Sequence, residues 1–414
     1  MRQLMALPDQ THRQTRSRWP AELRLLIDLT RDADDPRLSG ALAQLDPDRL
    51  DWQRFMALAV RHRVESLVAV NLAAHASAPI PSSVRDHFAG RLRANTLHSL
   101  SLARATGEAM ERLEAAGVPA ILLKGHAVSG RFYASLNGRE SIDIDLLMGG
   151  DGARAAAVLE DLGFRQDYPD FPVPRQCEGT FAALAGDVGY VRVADGVKLE
   201  LVRGRLDRIE WGFERALRAT TTMQLGGTPV RVFEPAALLL YLVCHGAKHG
   251  WFRLKWLADV YRVAGALTED EARGVAPLAS ESGAERMLAG GMQMLDAVYR
   301  TKLDSLSDVA PETRASRRRL DFMLGSFEAP AAEDGVRVAD IGRLLAETRY
   351  LLSLRSDWRY RRMTLIRLLT SVRDIQTIRL SRRWLWLYVL LGPLLAASRV
   401  ARREIRVRFA PPNP

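Results

Sequence analysis

From residue 19 to residue 117 the apolar and polar positions follow helices. Ala, Leu and Arg dominate, and breaks fall at Asp34-Asp35-Pro36, Asp46-Pro47 and Ala78-Pro79-Ile80-Pro81. After the last break, Ser82 or Ser83 is placed to cap a long helix that runs to Ala116 and stops at Gly117. Leu92, Leu97, Leu100, Leu102 and Met110 are expected to supply much of its apolar face. The pattern then changes. Pro119 to Leu123 is a short apolar run that predicts a buried strand, followed at once by Lys124-Gly125 and a helix from His126 to about Ser135. Asn137-Gly138 marks a turn, and Ile142 to Met148 alternates apolar and acidic residues as a strand does. Asp151 caps a helix that Gly163 closes, and Val188–Val193 and Val197–Val202 flank the hairpin signal Ala194-Asp195-Gly196. From Glu234 helices return: Pro235 opens one, Trp251 to Ala264 forms another, and a looser stretch from Glu328 to Gly335 reads as a linker. The expected divisions are therefore residues 1–117, 118–232, 233–327 and 328–414.

Length and composition narrow the class. A chain of 414 residues, 47% hydrophobic and 26% charged, has ample material for a core and resembles no disordered, collagenous or polytopic membrane chain. Cys177 and Cys244 are too few for a disulfide scaffold and suit a reducing compartment. The first twenty residues lack the apolar core of a secretory signal, so a cytoplasmic location is expected.

The net charge of +10 is unevenly placed. Residues 343–408 hold sixteen Arg, no Lys and four acids, a net of +12 that leaves about −2 for the rest. A nucleic-acid enzyme spreads positive charge around its cleft, so a nucleic-acid partner is not expected. Within this tail, Trp384 to Ala397 is an apolar run interrupted by Gly392-Pro393 and bounded by Arg382-Arg383 and Arg399. It is shorter than the ~20 residues a spanning helix needs. Two readings remain: a buried core helix, or an interfacial anchor with Trp384, Trp386 and Tyr388 at headgroup level and the arginines of residues 382–408 on anionic lipid.

Candidate chemistry centres on Asp143-Ile144-Asp145. Residues two apart on a strand share a face, so the two carboxylates lie side by side about 7 Å apart along the chain. Such a pair is costly unless solvated or bridged by a cation, and Mg2+ suits oxygen ligands. Upstream, Lys124-Gly125 brings a cation, a flexible turn and a helix start, which favour phosphate. Lysine is scarce here: five Lys stand against 54 Arg. A third acid, Glu200, lies on the strand Lys198 to Val202, where the competing reading is a salt bridge to Lys198. His245 and His249, four apart on one helix, could share a metal, but Gly246 stands where a metalloprotease has Glu. They and Lys248 are instead candidates for the substrate side, with packing against Trp251 and Trp256 as the alternative. Lys255 and Asp259 read as an intrahelical ion pair.

Taken together, residues 119–203 resemble the nucleotidyltransferase fold of the DNA polymerase beta superfamily, and more closely a bacterial family of uncharacterised nucleotidyltransferases. The residues carrying the resemblance are ILLKG at 121–125, Tyr133, Arg139, DIDLL at 143–147, KLELV at 198–202, and FEPAALLLYLVCHGAKHGWFRLKWLADV at 233–260. It extends from the long helix near residue 82 to about residue 264. It implies an α+β fold, a small mixed-sheet nucleotidyltransferase core embedded in a largely helical protein. It further implies Asp143 and Asp145 as ligands of a two-metal Mg2+ site with Glu200 as third acid, and Lys124 and Gly125 against the triphosphate. His126 or Ser129 would stand in for the superfamily's usual hydroxyl, because Lys124-Gly125-His126 replaces a Gly-Gly or Gly-Ser turn. Arg139 would neutralise phosphate or pair with the aspartates. Ser141-Ile142 precede the first Asp where Gly is more common. The implied activity is transfer of NMP from an NTP to a hydroxyl of a small molecule, sugar or peptide product. The competing expectation is a catalytically degenerate member acting as a scaffold at the inner membrane face.

Overall fold

The computed structural model describes residues 4–6, 19–206, 209–303, 306, 313–328, 341–392 and 394–395. Five α-helices precede the main sheet: α1 (Ala21–Asp28), α2 (Pro36–Ala43), α3 (Trp52–His62), α4 (Glu65–Ala74) and α5 (Ser82–Ala115). Asp35 and Asp51 cap α2 and α3 through their side chains, as short acceptors do at helix starts. On α5 the cap position falls on Pro81, so neither Ser82 nor Ser83 is the cap. Gly117 closes the helix with φ +71, a conformation glycine adopts at no steric cost. The expected apolar face of α5 is only half right: Leu102 and Met110 are buried and Leu92 packs at the margin, whereas Leu97 and Leu100 are exposed.

A seven-stranded mixed sheet follows, built from β1 (Ala120–Leu122), β2 (Asp143–Met148), β3 (Phe164–Tyr168), β4 (Asp187–Arg192), β5 (Lys198–Arg203), β6 (Thr220–Leu225) and β7 (Thr228–Phe233). Its spatial order is β3-β4-β5-β2-β1-β7-β6. The central β2 runs antiparallel to β1 and parallel to β5. The expected hairpin is present as β4 and β5, whereas β3 and β6 escaped the pattern reading because their faces are largely polar and exposed. Helices α6 (His126–Phe132), α7 (Gly152–Asp161), α8 (Glu178–Leu184) and α9 (Phe213–Arg218) connect the strands. Asp151 caps α7 by accepting from the Ala153 and Arg154 N–H groups.

The two faces of the sheet feed separate cores, as period-two side chains must. Ile144 and Leu146 of β2 pack with Leu102, Leu113 and Leu159 on one side. Leu147 and the β1 residue Ile121 face the other, against helices α10 (Pro235–Lys248) and α11 (Leu254–Ala266). Asp143 and Asp145 share that second face with Leu147. Helices α12 (Glu269–Glu281), α13 (Glu285–Tyr299) and α14 (Arg314–Glu328) continue this layer.

Helices α15 (Ile341–Ser353), α16 (Trp358–Leu369) and α17 (Asp374–Thr377) close the described chain, with helical residues 385–392 and 394–395 behind them. The expected linker lies, except for Glu328, outside the described residues. So do Pro393, Ala396, Ala397 and the remainder of the 382–408 segment. Within the apolar run, Leu385, Tyr388 and Leu395 are buried in the core beneath the sheet. Tyr388 donates to the Ile378 carbonyl and accepts the Leu380 N–H at 3.2 Å, so it cannot sit at a headgroup layer. Trp384 and Trp386 remain exposed. Among the described residues no helix is long and apolar enough to cross a membrane.

Candidate active site

The parallel register of β2 and β5 sets the site. Asp145 lies directly beside Glu200, and Asp143 beside Lys198. Since Asp143 and Asp145 project from one face, carboxylate oxygens of Asp143, Asp145 and Glu200 come within 4.8 Å of one another. Among the described residues this is the one group of three or more His, Cys, Asp or Glu side chains able to hold a metal ion. Glu200 therefore turns toward Asp145, and no ion pair joins it to Lys198.

Lys124 follows the β1 strand and reaches back over the acids. Its ammonium lies 3.4 Å from Asp143 Oδ1 and 2.5 Å from Asp145 Oδ2. The turn that aims it depends on Gly125, whose φ of +67 is reached without strain only by glycine.

Electrostatics separate the three acids. Burial, together with the charges of Asp143 and Glu200, pushes the Asp145 carboxyl up to about 7 despite Lys124. Burial and the charges of Asp143 and Asp187 likewise raise Glu200. Asp143 resists burial and is held low by Lys124, Lys255 and Arg139. Lys124, although buried, is kept above its ordinary value by Asp145 and Asp143. Asp145 Oδ2 is buried and, despite its close ion contact with Lys124, makes no hydrogen bond of ordinary geometry. Three converging carboxylates form a hard-oxygen donor set, which fits Mg2+.

Asp145 and Glu200 open onto a cleft whose lining also includes Lys124, Tyr241, His245, Lys248, Asp187 and Arg205. Helix α10 is apolar along most of its length and turns Tyr241 and His245 toward the carboxylates. Burial, then Lys124, His249 and Lys248, hold His245 well below its ordinary value, so its imidazole is neutral. His249 does not line this cleft. Its ring stacks on Trp256 at 4.9 Å and borders a neighbouring cavity with Phe252, Phe322 and Tyr350. Lys248 lies on the wall between the two.

Three expectations change here. His126 is buried and its Nε2 meets the Ser99 hydroxyl at 3.0 Å, and Ser129 is buried with no partner for its Oγ. Both belong to the buried face of α6, and neither lines the cleft beside the acids. Arg139 pairs with neither catalytic candidate. It holds Asp259 through both arms at 2.8 Å and donates to Ser141 at 2.7 Å. Asp259 is thus taken by Arg139 and by the Tyr133 hydroxyl at 2.7 Å, so no ion pair with Lys255 forms. Lys255 is buried instead near Arg139, Lys124 and Asp143, and burial followed by Arg139 depresses it well below its ordinary value.

Sequence reading missed Tyr241, Asp187 and Arg205. Tyr241 carried a signal, because it is the one hydroxyl in an apolar helical run, four residues before His245. Asp187 and Arg205 carried none, since their place depends on how β4 and the chain after β5 flank the acids.

The described residues thus set a seven-stranded mixed sheet, with an acidic cluster on its central strands, within a largely helical protein. The chain belongs to the uncharacterised nucleotidyltransferase family, whose profile matches residues 48–300. The crystal structure of an antigenic nucleotidyltransferase-like protein from Paracoccidioides brasiliensis is similar over 49% of this chain and 93% of that one, at 13% identity and a TM-score of 0.29. No curated protein matches this chain.

Proposed function

We propose that this protein transfers NMP from an NTP to a hydroxyl on a small-molecule, sugar or peptide acceptor, with Mg2+ as cofactor. The observation that carries this is the meeting of Asp143, Asp145 and Glu200 around one point. Asp143, Asp145 and Glu200 would hold the cations, which when bound supply positive charge at the attacking and leaving oxygens. Lys124 would meet phosphate oxygens, and Glu200, whose affinity for a proton is raised, would receive the acceptor's hydroxyl proton. The acceptor oxygen bonds to the α-phosphorus while the bond to pyrophosphate breaks. His245 and Lys248 would border the acceptor, and Arg139 would position the aspartates from behind. The four-part division of the chain and a cytoplasmic location with peripheral contact at the inner membrane face belong to the same proposal.

The test is transfer of α-labelled phosphate from each of the four NTPs to cell metabolites and RNA. Asp143→Asn and Asp145→Asn should abolish pyrophosphate release, and unchanged turnover would sink the reading.

A second reading, a catalytically degenerate scaffold, is favoured by the Lys124 ammonium, which is already ion-paired with both aspartates. Calorimetry with Mg2+ and α,β-methylene ATP separates the two. Saturable heat that Asp145→Asn removes supports catalysis, and none in the wild type supports the scaffold.

A further inference from the structure

The apolar run near the C-terminus is divided lengthwise by the fold. Leu385, Tyr388 and Leu395 point into the core, whereas Trp386, Leu390 and Leu394 are 51%, 65% and 71% exposed. Those three are four residues apart in turn, so they form one stripe along one helical face. Helix α16 repeats the arrangement. Tyr360, Thr364 and Ile366 are buried, and Trp358, Leu365 and Leu369 are exposed. The two helices touch where Gly392 packs on the Leu369 backbone carbonyl, an approach that leaves no room for a side chain.

Arginine borders both stripes. Arg362 lies over the Trp358 ring at 4.9 Å and Arg383 over Trp384 at 5.8 Å. From residue 358 to residue 383 there are eight Arg and one acid, Asp374, which is buried. Exposed Trp and Leu ringed by guanidinium groups match a lipid surface in depth: rings at the boundary, leucines below, and arginines at the phosphates. An acidic protein partner would meet the charge but not a row of leucines, so the paired stripes favour lipid.

We propose that these two arginine-rimmed stripes form a preformed docking face for an anionic membrane surface. This deepens the peripheral-membrane reading above, on which it rests, and is independent of nucleotidyl transfer. The face is fixed to the catalytic sheet rather than tethered. Arg367 donates to the Ala183 carbonyl at 2.9 Å, and Thr180 to the Leu380 carbonyl at 2.8 Å, both on or beside α8. Immediately after α8, Ala185, Gly186 and Asp187 line the candidate cleft. Docking therefore holds the cleft at a set distance from the lipid.

Flotation of the full chain tests this with vesicles of phosphatidylcholine alone and of phosphatidylcholine with roughly 30% phosphatidylglycerol. The wild type should bind the anionic vesicles and not the neutral ones, more weakly at high salt. The triple substitution Trp386→Ser, Leu390→Ser and Leu394→Ser, which leaves charge unchanged, should weaken partitioning at least about tenfold. Leu365→Ser with Leu369→Ser tests the second stripe independently, and far-ultraviolet circular dichroism verifies that each variant folds. Asp145→Asn should bind like the wild type. Wild-type protein that binds neither vesicle overturns membrane docking altogether. Equal binding by wild type and both stripe variants leaves a membrane protein but overturns this face. Concentration-dependent dimers that the triple variant abolishes, without vesicle binding, assign the face to a second copy of the chain and overturn the proposal.

Discussion

Asp259 accepts both arms of Arg139 at 2.8 Å, across 120 positions of sequence, with neither side chain open to water. The pair ties α11 to the segment that enters β2 just before Asp143. Tyr133 donates a third bond to the same carboxylate, and the Arg262 guanidinium lies 4.5 Å over the Tyr133 ring. Asp259→Asn strands a buried guanidinium, and loss of one partner from a buried pair costs ~3–5 kcal/mol. Tyr133→Phe removes one neutral donor and should cost about 1–3 kcal/mol. Urea denaturation of both variants checks the order. Equal losses would mean that the charge pair carries no special weight.

Lys124 stands over the carboxylates as their internal counter-cation. Lys124→Met should destabilise the metal-free protein, and by more at pH 8 than at pH 6. Without the ammonium the acids escape repulsion by holding protons, which are scarcer at high pH. Added Mg2+ should then raise the melting temperature of the variant more than that of the wild type. Equal shifts in the two proteins would show that the ammonium and the cation do not compete.

Gly246, the residue that breaks the metalloprotease pattern, is required by packing. The Trp251 ring lies against it so closely that an added Cβ would fall 2.5 Å from the ring edge. Both positions are locked, since Trp251 is fully buried and holds φ at +58. Gly246→Ala should cost ~1–3 kcal/mol through overpacking, although alanine favours helix. A neutral or stabilising result in thermal melts would show that the Trp251 ring gives way.

His62 offers a pH signature away from the site. Burial, and then the Arg61 charge, push it down to about 3, while its Nδ1 accepts the Leu254 N–H at 3.0 Å. The unfolded chain binds a proton there below the ordinary histidine value, and the native chain does not. Stability is therefore full above about pH 6.5 and is lost as pH falls toward 3, at roughly 1.4 kcal/mol per pH unit for this group. His62→Asn, which keeps an acceptor for Leu254, should flatten that slope by about the same amount. An unchanged slope between pH 6 and pH 4 would assign the acid sensitivity to other groups.

Local patterns were decisive wherever a feature depends on neighbours in sequence. The alternation in Asp143 to Met148 put two carboxylates on one face. Asp151 and Gly163 marked the ends of α7, and Ala194-Asp195-Gly196 marked the β4–β5 hairpin. Each is a relation over a few residues, carried by period, capping or turn geometry. The family resemblance rested on short strings of the same kind, and all of them lie within residues 48–300, which the family profile matches.

Longer relations were settled by packing alone. Glu200 reaches Asp145 because β5 lies parallel to β2 in one register, and a slip of one residue would have turned it away. Arg139 was expected on phosphate or on Asp143 and Asp145, and only the docking of α11 selected Asp259. His126 and Ser129 looked available to phosphate, but packing turns the face of α6 that carries them into the interior. Trp384 to Ala397 reads as equally apolar along its length, but among its described residues the fold buries Leu385, Tyr388 and Leu395 and exposes Trp386, Leu390 and Leu394. Sequence by itself determined which faces exist, because periodicity is a local property of the backbone. Tertiary structure decided which face meets which, because that choice is made by the burial of surfaces contributed from distant parts of the chain.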